Sequence, residues 1–398
     1  MRELGEHLRN HTEDYRAAVQ QRLFERVWQS RQVFALSSAQ THLDLAPAIA
    51  LVLEKSDGQG TVPPDVLERL SLLGRQHRRF GFPPEIYSEF QDCLIDGLEV
   101  LALTSYQHDI AQRVITTICQ TMAESAASAD SKGIPAAHAA RVVAVARPNR
   151  HTAVIRLESS EALHYKPGQS YSVNSAYLPG VWRLLTPAIP ADPTGQLIFH
   201  LSVCGDASRS LAGSQPGDFW TLGNPQGDFL PHHPQRVVFL CFGTGWAAVR
   251  AFLLSLVEAG NKVPCTVFAV ADSPGEHYDT EFQANLRALA PWINLRLLVR
   301  EKDDPWLLGA QPAAEATHFE LAADPVDVLL AQRPHNPHTI VVVGPGAEVD
   351  GAKERLVAGG VSESDIETHG WSDGREWDPQ FREEWEAWRA WTRTWTQP

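Results

Sequence analysis

Three groups of residues have types and spacings suited to chemistry. Gly243-Thr244-Gly245 follows an apolar run and precedes a helical one. A turn of this kind lets backbone N–H groups and a helix N-terminus face a diphosphate. Val343-Gly344-Pro345-Gly346 repeats the arrangement further along the chain. Two glycine turns at strand C-termini of one parallel sheet define a ligand crevice. The second group is Arg183-Leu184-Leu185-Thr186-Pro187 with Gly205-Asp206-Ala207-Ser208. A guanidinium pairs with a diphosphate by charge-assisted hydrogen bonds, and a Ser with flanking N–H groups at a helix start can hold the same phosphates. The third is His77, in the run Leu73-Gly74-Arg75-Gln76-His77-Arg78-Arg79-Phe80-Gly81-Phe82-Pro83-Pro84-Glu85-Ile86-Tyr87. A helix should end after His77 and the next begin at Pro84. A His at a helix end can present a ring nitrogen to a metal in the adjoining crevice.

These groups fall in three stretches of different texture. Residues 1–126 read as helical, with apolar residues at three- and four-residue spacing. Ile86, Phe90, Leu94, Leu98 and Leu101 form one stripe, and His108, Ala111, Val114, Ile115, Ile118 and Met122 another. Residues 127–138 are small, polar and Gly/Pro-containing, which reads as a linker. Residues 139–233 hold short strands divided by Pro/Gly/Asn turns, as in a small antiparallel barrel. Residues 234–372 alternate continuous apolar strands with helices, which predicts a parallel α/β sheet. The expected fold is therefore multidomain: an all-α domain, an antiparallel β-barrel and a Rossmann-like α/β domain. Residues 373–398 form a Trp-rich tail.

The chain has 398 residues, 43% of them hydrophobic and 21% charged, with a formal net charge of -14. This supports two or three packed domains and argues against whole-chain disorder. The acidic balance disfavours non-specific nucleic-acid binding. The cysteines Cys93, Cys119, Cys204, Cys241 and Cys265 are scattered, with no CxxC, so neither a disulfide framework nor a zinc site is indicated. The charged N-terminus lacks a signal-peptide apolar run, and no stretch approaches the ~20 apolar residues of a transmembrane span. A cytoplasmic protein is expected.

Residues 139–372 resemble the ferredoxin–NADP reductase superfamily, in the order barrel, Arg-x-x-Thr, Gly-x-x-Ser, Gly-x-Gly, Gly-Pro. The resemblance implies that Arg183 contacts an FAD diphosphate and that Thr186 hydrogen-bonds near flavin N5. Gly205 and Ser208 match the pyrophosphate element. Gly243, Thr244 and Gly245 match the nicotinamide-nucleotide loop, and Gly344 and Pro345 the Cys-Gly-Pro element. Leu185 stands where the family has a flavin-stacking Tyr, and Val343 where it has Cys. Trp371, at the end of the last strand, is the expected flavin shield. Asp272 follows the second strand of the sheet. A carboxylate there accepts hydrogen bonds from a ribose 2′-hydroxyl and repels a 2′-phosphate, which favours NADH over NADPH.

Residues 1–126 resemble the globin domain of flavohaemoglobins, through His77, Phe80, Pro84, Glu85 and Tyr87 at the family's spacing. The resemblance implies that His77 is the axial ligand of haem b. It implies that Tyr87 orients His77, with Glu124 as the partner of Tyr87. On the distal side Phe24 stands where the family carries an oxygen-stabilising Tyr. Phe34 matches the Phe that packs on the haem. The distal Gln position falls on Thr41, with Gln40 and His42 beside it. Phe381, Trp385, Trp388, Trp391 and Trp395 lie on one face of the tail, which suits packing within the chain, a dimer contact or a membrane surface.

Together the resemblances imply electron flow from NAD(P)H through FAD to haem, and oxidation of nitric oxide with O2 to nitrate. The partners implied are these small molecules. Two other readings stay open: an NAD(P)H–flavin reductase serving another acceptor, and a haem-based redox or gas sensor.

Overall fold

Local periodicity in the first stretch builds six helices among the described residues: α1 (Arg2–Asn10), α2 (Thr12–Arg26), α3 (Leu45–Lys55), α4 (Pro64–His77), α5 (Ile86–Gly97) and α6 (Ser105–Ser131). The computed structural model describes residues 1–27, 30, 44–81, 83–227, 229, 236–310, 317–333 and 338–371. The chain divides into two compact units, with Met1–Ala137 in one and His138–Ser372 as the other.

In the first unit α1 packs on α3, α2 on α5, and α4 and α5 on α6. The stripe Ile110, Ala111, Val114, Ile115, Ile118 and Met122 is buried on one face of α6. Two glycines allow close approach between helices. A Cβ at Gly74 of α4 would stand 2.4 Å from the Met122 carbonyl oxygen of α6. A Cβ at Gly97 would stand 2.7 Å from Val19 Cγ2. The buried Tyr15 hydroxyl donates to the Leu94 carbonyl at 2.9 Å, which ties α2 to α5. Helix α6 runs to Ser131, past the residue 126 expected from sequence. The small residues there are helix-competent, and Gly133, at φ 67°, follows the helix end.

The second unit opens with six strands: β1 (His138–Asn149), β2 (Thr152–Ser159), β3 (Ser170–Ser175), β4 (Arg183–Leu185), β5 (Gln196–Ser202) and β6 (Phe219–Gln226). They form an antiparallel sheet in the order β4-β3-β6-β1-β2-β5. Its two edges meet: Pro187 bridges Phe199, and the Ala188 N–H donates to the Ile198 carbonyl at 2.7 Å. This closes the sheet as a barrel, filled by Phe199 stacked on Trp220 and by Ile155, Leu157, Val173 and Leu197. The short helix α7 (Asp206–Ala212) lies between β5 and β6.

The remaining strands are β7 (Val237–Phe242), β8 (Cys265–Ala271), β9 (Ile293–Val299), β10 (Phe319–Leu321), β11 (Thr339–Pro345) and β12 (Ile366–Trp371). Their order is β10-β9-β8-β7-β11-β12, and every pairing is parallel. Both faces are covered by apolar clusters, so all six residues of β7 are buried. Helices α8 (Trp246–Glu258), α9 (Thr280–Leu289), α10 (Pro325–Gln332) and α11 (Gly346–Ala358) connect the strands. The strand order reverses between β7 and β11, and such a switch point opens a crevice at the strand C-termini. The three-part fold expected from sequence is the fold observed.

Candidate functional site

The crevice is built from two glycine turns on adjacent strands. Gly243–Gly245 forms a tight turn between β7 and α8, with Gly243 at φ +51° in the left-handed region. A Cβ at Gly245 would stand 2.5 Å from the Val343 carbonyl oxygen on β11. A Cβ at Gly344 would stand 2.8 Å from Phe242 Cβ on β7. Each glycine therefore lets one turn lie directly against the neighbouring strand end. Nothing lies within 4 Å of a Cβ position on Gly243, so that side of the turn is open. Helix α8 begins directly after this turn, and a helix N-terminus favours anions. Thr244 lies within this turn, and Pro345 pairs with Trp371 across β11 and β12.

Asp272 follows β8 and is exposed. Its carboxylate accepts from Arg300, 2.9 Å away, at the end of β9. Arg300 also donates twice to Glu348 in the first turn of α11, at 2.8 and 2.7 Å. The Glu348 carboxylate, then Asp272, holds the guanidinium above its ordinary pKa against the opposing effect of burial. The expected Asp272 is thus in place at the strand end, but as one arm of a three-residue cluster that local spacing does not reveal.

The barrel supplies the second half of the site. Arg183 opens β4 and pairs with Val173 on β3, while Gly205 and Ser208 follow the end of β5. Arg183 is exposed, and its guanidinium donates to the Trp182 carbonyl at 2.8 Å. The Ser208 hydroxyl accepts from the Cys204 and Gly205 N–H groups at 3.1 and 3.0 Å and donates to the Gly205 carbonyl at 3.0 Å. The hydroxyl thus occupies both N–H groups, and the space beside Gly205 Cα is open. Leu185 is half-buried and packs on the barrel core, so no aromatic ring occupies its position.

A chain of contacts joins Thr186 to the last strand. The Thr186 and Ser170 hydroxyls share a hydrogen bond of 2.7 Å, and Ser170 pairs with Gln226. Gln169 donates to the Gly227 carbonyl at 2.9 Å, and Phe229 follows, packed where a Cβ on Gly168 would stand. The Phe229 ring lies 4.6 Å from that of His369 on β12. Two residues on is Trp371, 41% exposed. These contacts form a seam between barrel and sheet that runs from Thr186 to His369. His369 was not anticipated. Its residue surface is partly exposed, yet its Nε2 is enclosed with no hydrogen-bond partner among the described residues. Burial lowers its pKa to about 4, so the ring is neutral at pH 7.

The same seam holds a second unanticipated cluster. Arg250 on α8 donates to the Ala188 carbonyl of the barrel at 2.6 Å and to Asp279 at 3.1 Å. Asp279 also accepts from the Trp246 indole at 2.7 Å. Since Trp246 directly follows Gly245, this fixes the start of α8 beside the glycine turn. His200 on β5 meets the Tyr278 hydroxyl at 3.0 Å.

In the helical unit His77 is the last residue of α4 and is half-buried. Its Nδ1 lies 2.9 Å from the Leu73 carbonyl. A carbonyl only accepts, so Nδ1 carries a proton, which in the neutral ring puts the lone pair on Nε2, as in a metal-ligating His. Phe80 meets the ring edge-on at 5.4 Å. The next residue, Arg78, pairs with Asp130 at 2.6 Å and also donates to the Ile134 carbonyl, which anchors this helix end on α6. Tyr87 is half-buried and packs on the core, and burial raises its pKa, with a smaller contribution from Cys119. Its hydroxyl makes no hydrogen bond among the described residues. Glu124 is exposed on α6, two residues from the buried Met122, and no hydrogen bond joins it to Tyr87. The structure does not bring that expected pair together. Phe24 is half-buried on α2. Phe34, Thr41, Gln40, His42 and the Trp-rich tail lie outside the described residues.

The residues present fit the two groups that the sequence implies. The His77 tautomer suits an axial ligand, and the open faces at Gly205 and Gly243 suit phosphates.

The chain is similar in fold to a flavohaemoglobin from Malassezia yamatoensis whose crystal structure holds FAD and haem. The TM-score is 0.70 at 17% identity, over 93% of this chain and 96% of that one. It is also similar to a cytochrome P450 reductase from Amycolatopsis, with a TM-score of 0.50 at 20% identity, over 59% of this chain and 69% of that one. No family model and no curated protein matches the sequence. Among the described residues no helix is long and apolar enough to cross a membrane.

Proposed function

We propose that this chain is a flavohaemoglobin-like oxidoreductase that passes electrons from NAD(P)H through FAD to haem b, and that it oxidises nitric oxide to nitrate. The observation that carries this reading is the succession of three folds in one chain, similar over 93% of its length to the fold of a protein solved with FAD and haem. When bound, FAD and haem would supply hydride acceptance, one-electron transfer and oxygen chemistry.

The chain's own part is to bind and orient. Gly243, Thr244, Gly245, Gly344 and Pro345 would frame the dinucleotide in the switch-point crevice, with Asp272 at its ribose. Arg183 would neutralise the FAD diphosphate, and the turn held by Gly205 and Ser208 would lie against it. Thr186 would hydrogen-bond near flavin N5, Leu185 would line the ring and Trp371 would cover it. His77 would present Nε2 to the iron, its orientation held by the Leu73 carbonyl. Tyr87, Phe24, Phe34 and Thr41 would shape the haem pocket, and Glu124 would act on Tyr87 only after a rearrangement of α6.

A second reading is an NAD(P)H–flavin reductase for another acceptor. It is favoured by the separation of Glu124 from Tyr87 and by the absence of a hydroxyl on Phe24. His77→Ala separates the two. The main reading predicts loss of nitric oxide consumption while NADH still reduces an artificial acceptor. Nitric oxide consumption that survives His77→Ala sinks it.

A further inference from the structure

Arg300 lies across the mouth of the switch-point crevice and draws on four adjacent strand ends. It follows β9 directly. Its Nη1 donates to Asp272 at the end of β8, at 2.9 Å. Its guanidinium carbon sits 5.8 Å from the Phe242 ring, which ends β7 one residue before Gly243. Both terminal nitrogens donate to Glu348, which enters α11 after β11. One cation is thus held by two carboxylates, and the cluster carries a net negative charge. The segment after Arg300 deepens it, since Glu301, Asp303 and Asp304 outweigh Lys302.

We propose that Glu348 is the residue that selects the dinucleotide, by holding Arg300 in this clamp so that the crevice takes the 2′-hydroxyl form and turns away the 2′-phosphate. The inference rests on the dinucleotide-crevice reading above. A 2′-phosphate brings about −1.5 to −2 charges and needs a guanidinium edge to meet it. Here both terminal nitrogens of Arg300 already donate to carboxylates. A bidentate guanidinium–carboxylate pair holds its geometry better than a single contact, so Glu348 matters more than Asp272. A 2′-hydroxyl is uncharged and can donate to Asp272 without disturbing Arg300.

The test measures binding of 5′-AMP and 2′,5′-ADP to the full-length protein by calorimetry, for wild type, Glu348→Gln, Asp272→Asn and the double variant Glu348→Gln/Arg300→Leu. Wild type is expected to prefer 5′-AMP. Glu348→Gln is expected to tighten 2′,5′-ADP by about tenfold or more, one charge-assisted hydrogen bond's worth, with little change for 5′-AMP. The double variant loses that gain, and Asp272→Asn gives a smaller one. The idea is overturned if wild type prefers 2′,5′-ADP. It is also overturned if both nucleotides gain equally in Glu348→Gln, which would place Arg300 on the 5′-phosphate, or if a folded Glu348→Gln gains nothing. Should Glu348→Gln not fold, Asp272→Asn carries the test, and no gain for 2′,5′-ADP in it overturns the proposal. Wild type that binds neither nucleotide overturns the crevice reading as well.

Discussion

Substituting Gly245 by Ala should damage the crevice in a way that a neighbouring glycine does not. The added Cβ would meet the Val343 carbonyl oxygen at 2.5 Å, its carbon at 2.9 Å and the Gly344 nitrogen at 3.2 Å. All three are backbone atoms of β11, which pairs with β7 on one side and β12 on the other, so they cannot swing away. The turn must retreat by roughly 1 Å to regain ordinary contact distance. Overpacking of this kind costs about 1–3 kcal/mol, or about 2–4 °C in melting temperature per kcal/mol for a unit of this size. A displacement near 1 Å at a binding turn costs on the order of a hundredfold in rate. Gly243→Ala differs, because nothing lies within 4 Å of its Cβ. It should cost only the roughly 1 kcal/mol of a left-handed Ala. Its methyl would stand in the crevice proposed for the dinucleotide, so it should raise KM for NADH. The assay is thermal melting with NADH turnover on an artificial acceptor. Gly245→Ala should lower both melting temperature and kcat. Wild-type melting in Gly245→Ala would refute the packing argument.

Three further outcomes follow from the same geometry. Burial lowers the pKa of His200 to about 3 and of His277 to about 4, from an ordinary value near 6.5. The unfolded chain then binds protons that the folded unit refuses, so stability present above pH 6.5 falls as the pH drops toward 4. The slope should approach about 1.4 kcal/mol per pH unit for each ring. Urea midpoints of the second unit at pH 7, 6 and 5 check this, and His277→Gln should flatten the slope. Gly74→Ala should destabilise the helical unit by about 1–3 kcal/mol, because the contact with Met122 is all backbone and outweighs a helix-propensity gain of about 1 kcal/mol. Unchanged melting would contradict it. His77→Ala should abolish any Soret band while flavin absorbance stays, and an unchanged Soret band would remove His77 from the iron.

Features set by neighbours in sequence were legible in it. His77 and Leu73 are one helical turn apart, and Gly243–Gly245 lies between an apolar strand and an apolar helix. Strand β7 opens the α/β stretch that the change of texture placed from residue 234. Contacts between distant residues were not legible. Arg300 meets Glu348 from 48 residues away, and Arg250 meets Ala188 from 62. Nothing in either local segment names the partner, because tertiary packing supplies it. Glu124 shows the same limit from the other side. Chain resemblance suggested a partner for Tyr87, but the period of α6 buries Ile118, Met122 and Ala126 and turns Glu124 outward.

The visible absorption spectrum of the purified full-length protein, before and after anaerobic NADH, tests the account most directly. It predicts a Soret band together with flavin bands, bleaching of the flavin by NADH and conversion of the haem to the ferrous form. Flavin bleaching with no Soret band, even after haem is supplied, would contradict it and leave a flavin reductase.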